Sequence, residues 1–123
     1  MKILVIGATG SIGSEVVDYA IQSGHEVRAV VRKTSNTKYL NKAAEIFVAD
    51  ITKADELVEA VKNIDAVVFT HPHRDHYAGL DDIRPYNFFS NQPMHIYANA
   101  LTQVAIKRDF YYAFEEKKDV GLP

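Results

Sequence analysis

Ile6-Gly7-Ala8-Thr9-Gly10-Ser11-Ile12-Gly13 stands between an apolar run, Lys2–Ile6, and a helix-length segment over residues 12–22. A glycine motif in that strand-to-helix context has a physical meaning that a lone motif lacks. Gly7 permits the tight turn, Gly10 lets backbone N–H groups approach an anion, and Gly13 lets the helix lie close to the strand. The bound group sits on the helix start, where unpaired N–H groups and the helix dipole both favour negative charge. The spacing is Gly-x-x-Gly-x-x-Gly.

Outward from this loop, short β-rich runs alternate with helix-length segments, the pattern of βα units around a parallel sheet. The runs are residues 2–6, 26–31, 45–49, 64–70 and 94–98, and the intervening helices are expected over 12–22, 37–43, 54–62, 77–85 and 99–114. On the third of these helices Leu57, Val58 and Val61 share an apolar face, and on the last Leu101, Val104, Ala105, Arg108 and Tyr112 share a face. Right-handed crossovers with one reversal predict the strand order 3-2-1-4-5. Ligands of such sheets bind beyond the carboxyl ends of the strands at the switch point. The loops following strands one and four are therefore the places to look for function.

With 123 residues, 47% of them hydrophobic, the chain is sized for a single α/β domain over 1–123. A net charge of -2 gives no basic surplus for nucleic acid or anionic lipid, so neither partner is expected. There is no cysteine for a disulfide or thiolate metal site, and no apolar run reaches the roughly 18 residues of a membrane span. The apolar start reads as a buried strand rather than a signal peptide, which points to a soluble, cytoplasmic or recombinant protein.

The second strand ends in Val31-Arg32-Lys33, where an NAD binder usually carries a carboxylate for the ribose hydroxyl. A cation there suits a 2′-phosphate, so a dinucleotide held by this loop is expected to be NADP. Four separate stretches, "ILVIGATGSIG", "GHEVRAVVR", "VADITKADELVEAV" and "NIDAVVF", make residues 1–69 resemble the atypical short-chain dehydrogenase/reductase family, its NAD(P)H-binding, nitrogen-regulator-like branch. The resemblance implies a Rossmann-like fold with Gly7, Thr9, Gly10, Ser11, Ile12 and Gly13 at the pyrophosphate, Arg32 at the adenosine phosphate, and Asp50 and Ile51 at the adenine. That family's catalytic Tyr-x-x-x-Lys has no match here, since Tyr39 has lysine three residues on and Tyr111 and Tyr112 have glutamates four on.

After the fourth strand comes Thr70-His71-Pro72-His73-Arg74-Asp75-His76, with three of the five histidines. Imidazoles and a carboxylate so spaced suit zinc or a similar transition metal. With "THPHRDHYAGLDDIRPYN", "QPMHIYAN" and "RDFYYAFEEKK", residues 64–123 resemble the metallo-β-lactamase fold, its phosphodiesterase-like branch. That resemblance implies His71 and His73 as ligands of one metal, zinc or manganese, and Asp75 and His76 as ligands of a second. Asp75 would also handle the proton of an attacking water. The remaining ligands of that family have no counterpart here, and His25, His95 and Asp50 are expected at distant strand ends.

"IDAVVFTH" satisfies both resemblances, and aromatics crowd beyond it: four of thirteen fall in the first 70 residues and nine in the rest. These observations lead to the expectation of an engineered chimera, residues 1–69 from one family and 70–123 from the other. It would be a scaffold with no complete catalytic site that retains weak NADP(H) or other nucleotide binding. The alternative is a metal-dependent phosphodiester hydrolase, and the third possibility a structural product with no ligand. Self-association through Phe88, Phe89, Phe110 and Phe114 is expected where the second segment meets unfamiliar neighbours.

Overall fold

The computed structural model describes residues 1–70 and 93–114. Five strands, β1 (Lys2–Ile6), β2 (Glu26–Val31), β3 (Glu45–Val48), β4 (Ala66–Phe69) and β5 (His95–Ala98), form one sheet in the order β3-β2-β1-β4-β5. Every pairing is parallel. Among the described residues three α-helices accompany them: α1 (Ser11–Gln22), α2 (Ala54–Ala60) and α3 (Ala100–Asp109), followed by a 3₁₀ turn at Tyr111–Ala113. This is the doubly wound Rossmann-like order that the alternation predicts.

The central strand explains why both faces must be covered. β1 is apolar at four successive positions, all buried, as parallel strands with helices on both sides require. Its side chains alternate between two cores. Leu4 and Ile6 meet Val67 and Phe69 of β4, Leu57 and Ala60 of α2, and Ala105 and Ile106 of α3. Ile3 and Val5 point to the other face, where Val27 and Ala29 of β2 pack with Val17 and Ala20 of α1. Sheet register aligns Ile6 with Val30 on one side and Phe69 on the other, so the glycine loop leaves the sheet at the same level as the chain after β2 and β4.

Four local expectations are corrected. Residues 37–43 form two tight turns instead of a helix, closed by Leu40 N–H to Thr37 O at 3.1 Å and Ala44 N–H to Asn41 O at 3.1 Å. The side chains of Asn36 and Asn41 accept from the N–H groups of Lys38 and Ala43, and such local bonds compete with helical ones. Leu40 and Ala44 still reach the core beside α1.

On α3 the buried residues are Thr102, Ala105 and Ile106, while Leu101 is 69% and Val104 64% exposed. The helix is thus turned by about one residue, 100°, from its apolar stripe. It also stops at Asp109 rather than running to 114, because Phe110 leaves helical geometry at φ -125° and packs against the core. On α2, Val58 is exposed while Leu57 and Val61 are buried. The expected helix over 77–85, with Phe88 and Phe89, lies outside the described residues.

Candidate nucleotide-binding site

The loop between β1 and α1 is built by its glycines in two distinct ways. Gly7 has φ 81°, a left-handed conformation that side chains disfavour. It turns the chain so that Gly10 N–H reaches Gly7 O at 3.2 Å. Gly13 is required by proximity instead: a Cβ placed there would lie 1.8 Å from Gly7 O and 2.9 Å from Ala8 Cα. The first turn of α1 therefore rests directly on the loop that precedes it.

This packing leaves the helix start open. The first intrahelical bond is Ser14 N–H to Gly10 O at 2.9 Å, so the amides of Ser11, Ile12 and Gly13 precede it, and no side chain caps them. No acidic residue occupies the first turn of the helix. An anion finds there three N–H donors and the positive end of a 12-residue helix.

Beside this loop lies a cleft of about 380 Å³ at the carboxyl ends of β1, β2 and β3. Gly7, Thr9 and Gly10 form one wall, Arg32, Thr34 and Ser35 the opposite one, and Ala49 and Ile51 a third. The Arg32 wall is a closed turn, with Arg32 N–H donating to Ser35 Oγ at 2.9 Å and Ser35 N–H donating to Arg32 O at 3.0 Å. Sequence reasoning found Arg32 and missed Thr34 and Ser35. Their signal was a hydroxyl pair in the turn that follows the second strand.

Asp50 lies on a second, outer cleft shared with Arg32 rather than on the inner one. Its carboxylate accepts from Thr52 N–H at 3.0 Å and from Thr52 Oγ at 2.6 Å. Those bonds hold the Asp50 carboxyl below the usual carboxylate range, with Lys53 and Arg32 adding to the effect. Ser11, Ile12 and Gly13 belong to the helix start, and Ile12 is half exposed there. The structure thus brings the expected residues together around the carboxyl ends of β1, β2 and β3, with Asp50 displaced outward and tied to its own turn.

His71, His73, Asp75 and His76 lie outside the described residues. Among the described residues no three His, Asp or Glu side chains are grouped to hold a metal ion. His25 precedes β2 and His95 opens β5, both at the end of the sheet opposite the glycine loop. The chain after β4 is nevertheless anchored: buried Thr70 donates from Oγ to Ile6 O at 3.1 Å, tying the ends of β1 and β4 together.

A model of proteins described as NAD(P)H-binding matches residues 7–109, most of the chain. The chain belongs to this NAD(P)H-binding family. The match extends past the point where two ancestries were expected to join, and neither the chimera nor the zinc or manganese hydrolase gains support from the comparisons. Among curated relatives, a photosystem II assembly factor of Synechocystis sp. is 39% identical over 69 residues, covering 55% of this chain and 21% of the relative. Eugenol synthase 2 of Clarkia breweri is 35% identical over 78 residues, 56% of this chain and 25% of that protein. The chain therefore spans about a quarter of the length of these relatives. A nucleoside-diphosphate-sugar epimerase from Pseudomonas aeruginosa shares the fold at TM-score 0.63 and 22% identity, over 80% of this chain and 32% of that one. An isoflavone reductase does so at TM-score 0.63 and 21% identity, over 90% and 44% respectively. No helix among the described residues is long and apolar enough to cross a membrane.

Proposed function

We propose that this member of the NAD(P)H-binding family holds the adenosine-pyrophosphate half of NADP(H), and acts as a binding domain rather than as a complete catalyst. The observation that carries this reading is the seating of α1 on its loop. A Cβ at Gly13 would fill the contact, and the three uncapped amides that result are the donors a pyrophosphate needs. The donor set fits the coenzyme: amides of Ser11, Ile12 and Gly13 for the pyrophosphate, Arg32 for the 2′-phosphate, and the Ala49 and Ile51 wall for the adenine. When bound, the coenzyme would supply a hydride. This chain's residues orient its adenosine end, and the Tyr-x-x-x-Lys pair that would move a proton for hydride transfer is missing. Relatives named as a synthase and as an assembly factor each match more than half of this chain, so a domain of this kind is compatible with either kind of role.

Titration of NADPH fluorescence tests the reading, with Gly10→Asp as the control. Gly10 sits at φ -71° and ψ 167°, extended backbone open to any residue, and aspartate is a favoured helix N-cap. The variant should therefore fold while placing a carboxylate where the pyrophosphate belongs. We expect saturable binding by the natural chain and a loss of about tenfold or more in the variant, equivalent to about 1.4 kcal/mol. Equal binding by both, or none by either, rejects the site.

A further inference from the structure

We infer that the side of the sheet carrying α1 is a self-complementary surface on which a second copy of this chain docks, with Tyr19 at its centre and Glu15 paired to the partner's His25. α2 and α3 both pack on the opposite side. On this side α1 covers β1 and β2 and leaves β4 and β5 largely open among the described residues. Val5, Val68 and Tyr97 stand in one register row across β1, β4 and β5. Along that row Val5 is buried, Val68 half-buried and Tyr97 50% exposed.

A groove of about 610 Å³ results, with Ile3, Val68 and Tyr97 of the sheet on one side and Val16 and Tyr19 of α1 on the other. Ile12, Val16, Tyr19 and Ser23 follow one another at helical spacing, so a single stripe of α1 flanks it. Ile12 is half exposed and Tyr19 73% exposed. A contiguous apolar patch open to water marks an interaction surface.

The two ends of the groove decide what the partner is. Glu15, exposed and without an ion pair among the described residues, marks the end nearer the glycine loop. His25 marks the other, where the chain leaves α1 for β2. Its Nδ1 meets the Met1 nitrogen at 3.3 Å, which leaves Nε2 as the ring nitrogen able to donate outward. Tyr19 lies midway, four residues after Glu15 and four before Ser23, the residue that caps the helix end. An acceptor at one end, a donor at the other and an aromatic between them form a surface that becomes its own complement on a half-turn about Tyr19. Two copies so related lay their α1 helices antiparallel, set each Glu15 against the partner's His25 and bring the two Tyr19 rings together at the two-fold axis. Central aromatics ringed by polar contacts are where binding energy concentrates. A foreign partner would need the same order of groups by coincidence, whereas a second copy carries it by construction. The face measures about 18 Å along α1 and about 20 Å across the helix and two strands, less than the roughly 800 Å² per partner of a standard interface, so the dimer is expected to be reversible.

Sedimentation velocity of the whole chain across the micromolar range tests this, with Tyr19→Lys, Glu15→Lys and His25→Glu as variants, each checked for an unchanged thermal melt. We expect a concentration-dependent monomer–dimer equilibrium in the natural chain, weakened about thirtyfold or more by Tyr19→Lys, which sets two ammonium groups face to face on the axis. Glu15→Lys and His25→Glu should each weaken self-association by about tenfold, since one leaves donor against donor and the other carboxylate against carboxylate at both ends. An equimolar mixture of those two variants should recover the dimer, because one end then joins the two new groups as an ion pair and the other keeps the natural Glu15 to His25 contact. A natural chain that stays monomeric throughout the range overturns the inference and leaves the face to another partner. Association that Tyr19→Lys leaves unchanged, or charge variants that fail to recover on mixing, overturn it in favour of a different self-contact, such as one through the exposed Phe114.

Discussion

Gly13 and Gly7 do different work although they carry the same letter. Gly7 is needed for its backbone angle, whereas Gly13 has ordinary helical geometry and is needed because another backbone occupies the place of its side chain. Gly13→Ala should therefore push α1 off its loop, with an overpacking cost of about 1 to 3 kcal/mol. Chemical denaturation would measure that cost, and coenzyme titration should show binding lost even where the variant stays folded. A variant as stable as the natural chain that still bound NADPH would contradict the contact. The backbone parts of Gly7 and Gly13, and the place of Arg32 on the cleft wall, were legible because each follows from its place relative to a strand end. Asp50 was less so. A carboxylate in a turn can face a ligand or brace its own backbone, and only the coordinates show Thr52 holding it. Ser35 escaped notice for a related reason, since its part in the cleft depends on closing the Arg32 turn.

Whole elements were most legible where burial is two-sided. β1 and β2 begin and end where their apolar runs do, because parallel strands buried on both faces leave no polar position within the run except one that finds partners. The failures are equally physical. Residues 37–43 present a helix-length gap, yet two asparagines supply side-chain acceptors that close turns instead. The face of α3 was misplaced because its mixed pattern lets apolar side chains lie outside while Thr102 is fully buried. Thr102 N–H donates to the Asn99 cap at 2.8 Å, but its hydroxyl oxygen has no hydrogen-bond partner among the described residues. Burying such a group unsatisfied costs about 1 to 3 kcal/mol. Thr102→Val keeps the shape and removes the hydroxyl, so it should raise stability by about 1 kcal/mol. Asn99→Ala, which removes the cap, should lower it by a similar amount. Thermal unfolding of both variants checks the assignment: a destabilising Thr102→Val would show that the hydroxyl is satisfied and that the buried face is wrongly drawn.

Across the whole molecule, the inner and outer clefts together keep their shape only if β2, β3 and α2 keep a fixed relation, because their walls draw on all of them. Arg28 provides that relation at the other end of the sheet. It is a buried cation within an apolar strand, and its Nη1 donates to Ala60 O at 2.7 Å and Lys62 O at 2.8 Å, where α2 ends. Nε donates to Glu45 Oε2 at 3.0 Å on β3, the residue in register with it, and the guanidinium lies over Phe47 at 5.4 Å. Replacing it with methionine would leave two carbonyls without their donor and should cost about 2 to 4 kcal/mol. Glu45 makes the same junction sensitive to pH. The hydrogen bond from Arg28 holds its carboxyl below the ordinary value of 4.5, outweighing the opposing effect of burial, with Lys2 adding a further pull. A carboxyl with a lowered folded-state pKa contributes its stability above the unfolded-state value, and loses it as pH falls through the folded-state one. Glu45 is nearly half exposed, so the contribution stays below about 1 kcal/mol. Urea unfolding of the natural chain and of Glu45→Gln should therefore show the variant less stable at pH 7, and the two converging as the pH is lowered below 4.5. An offset that persisted undiminished in acid would mean that Glu45 acts through packing rather than through its charge.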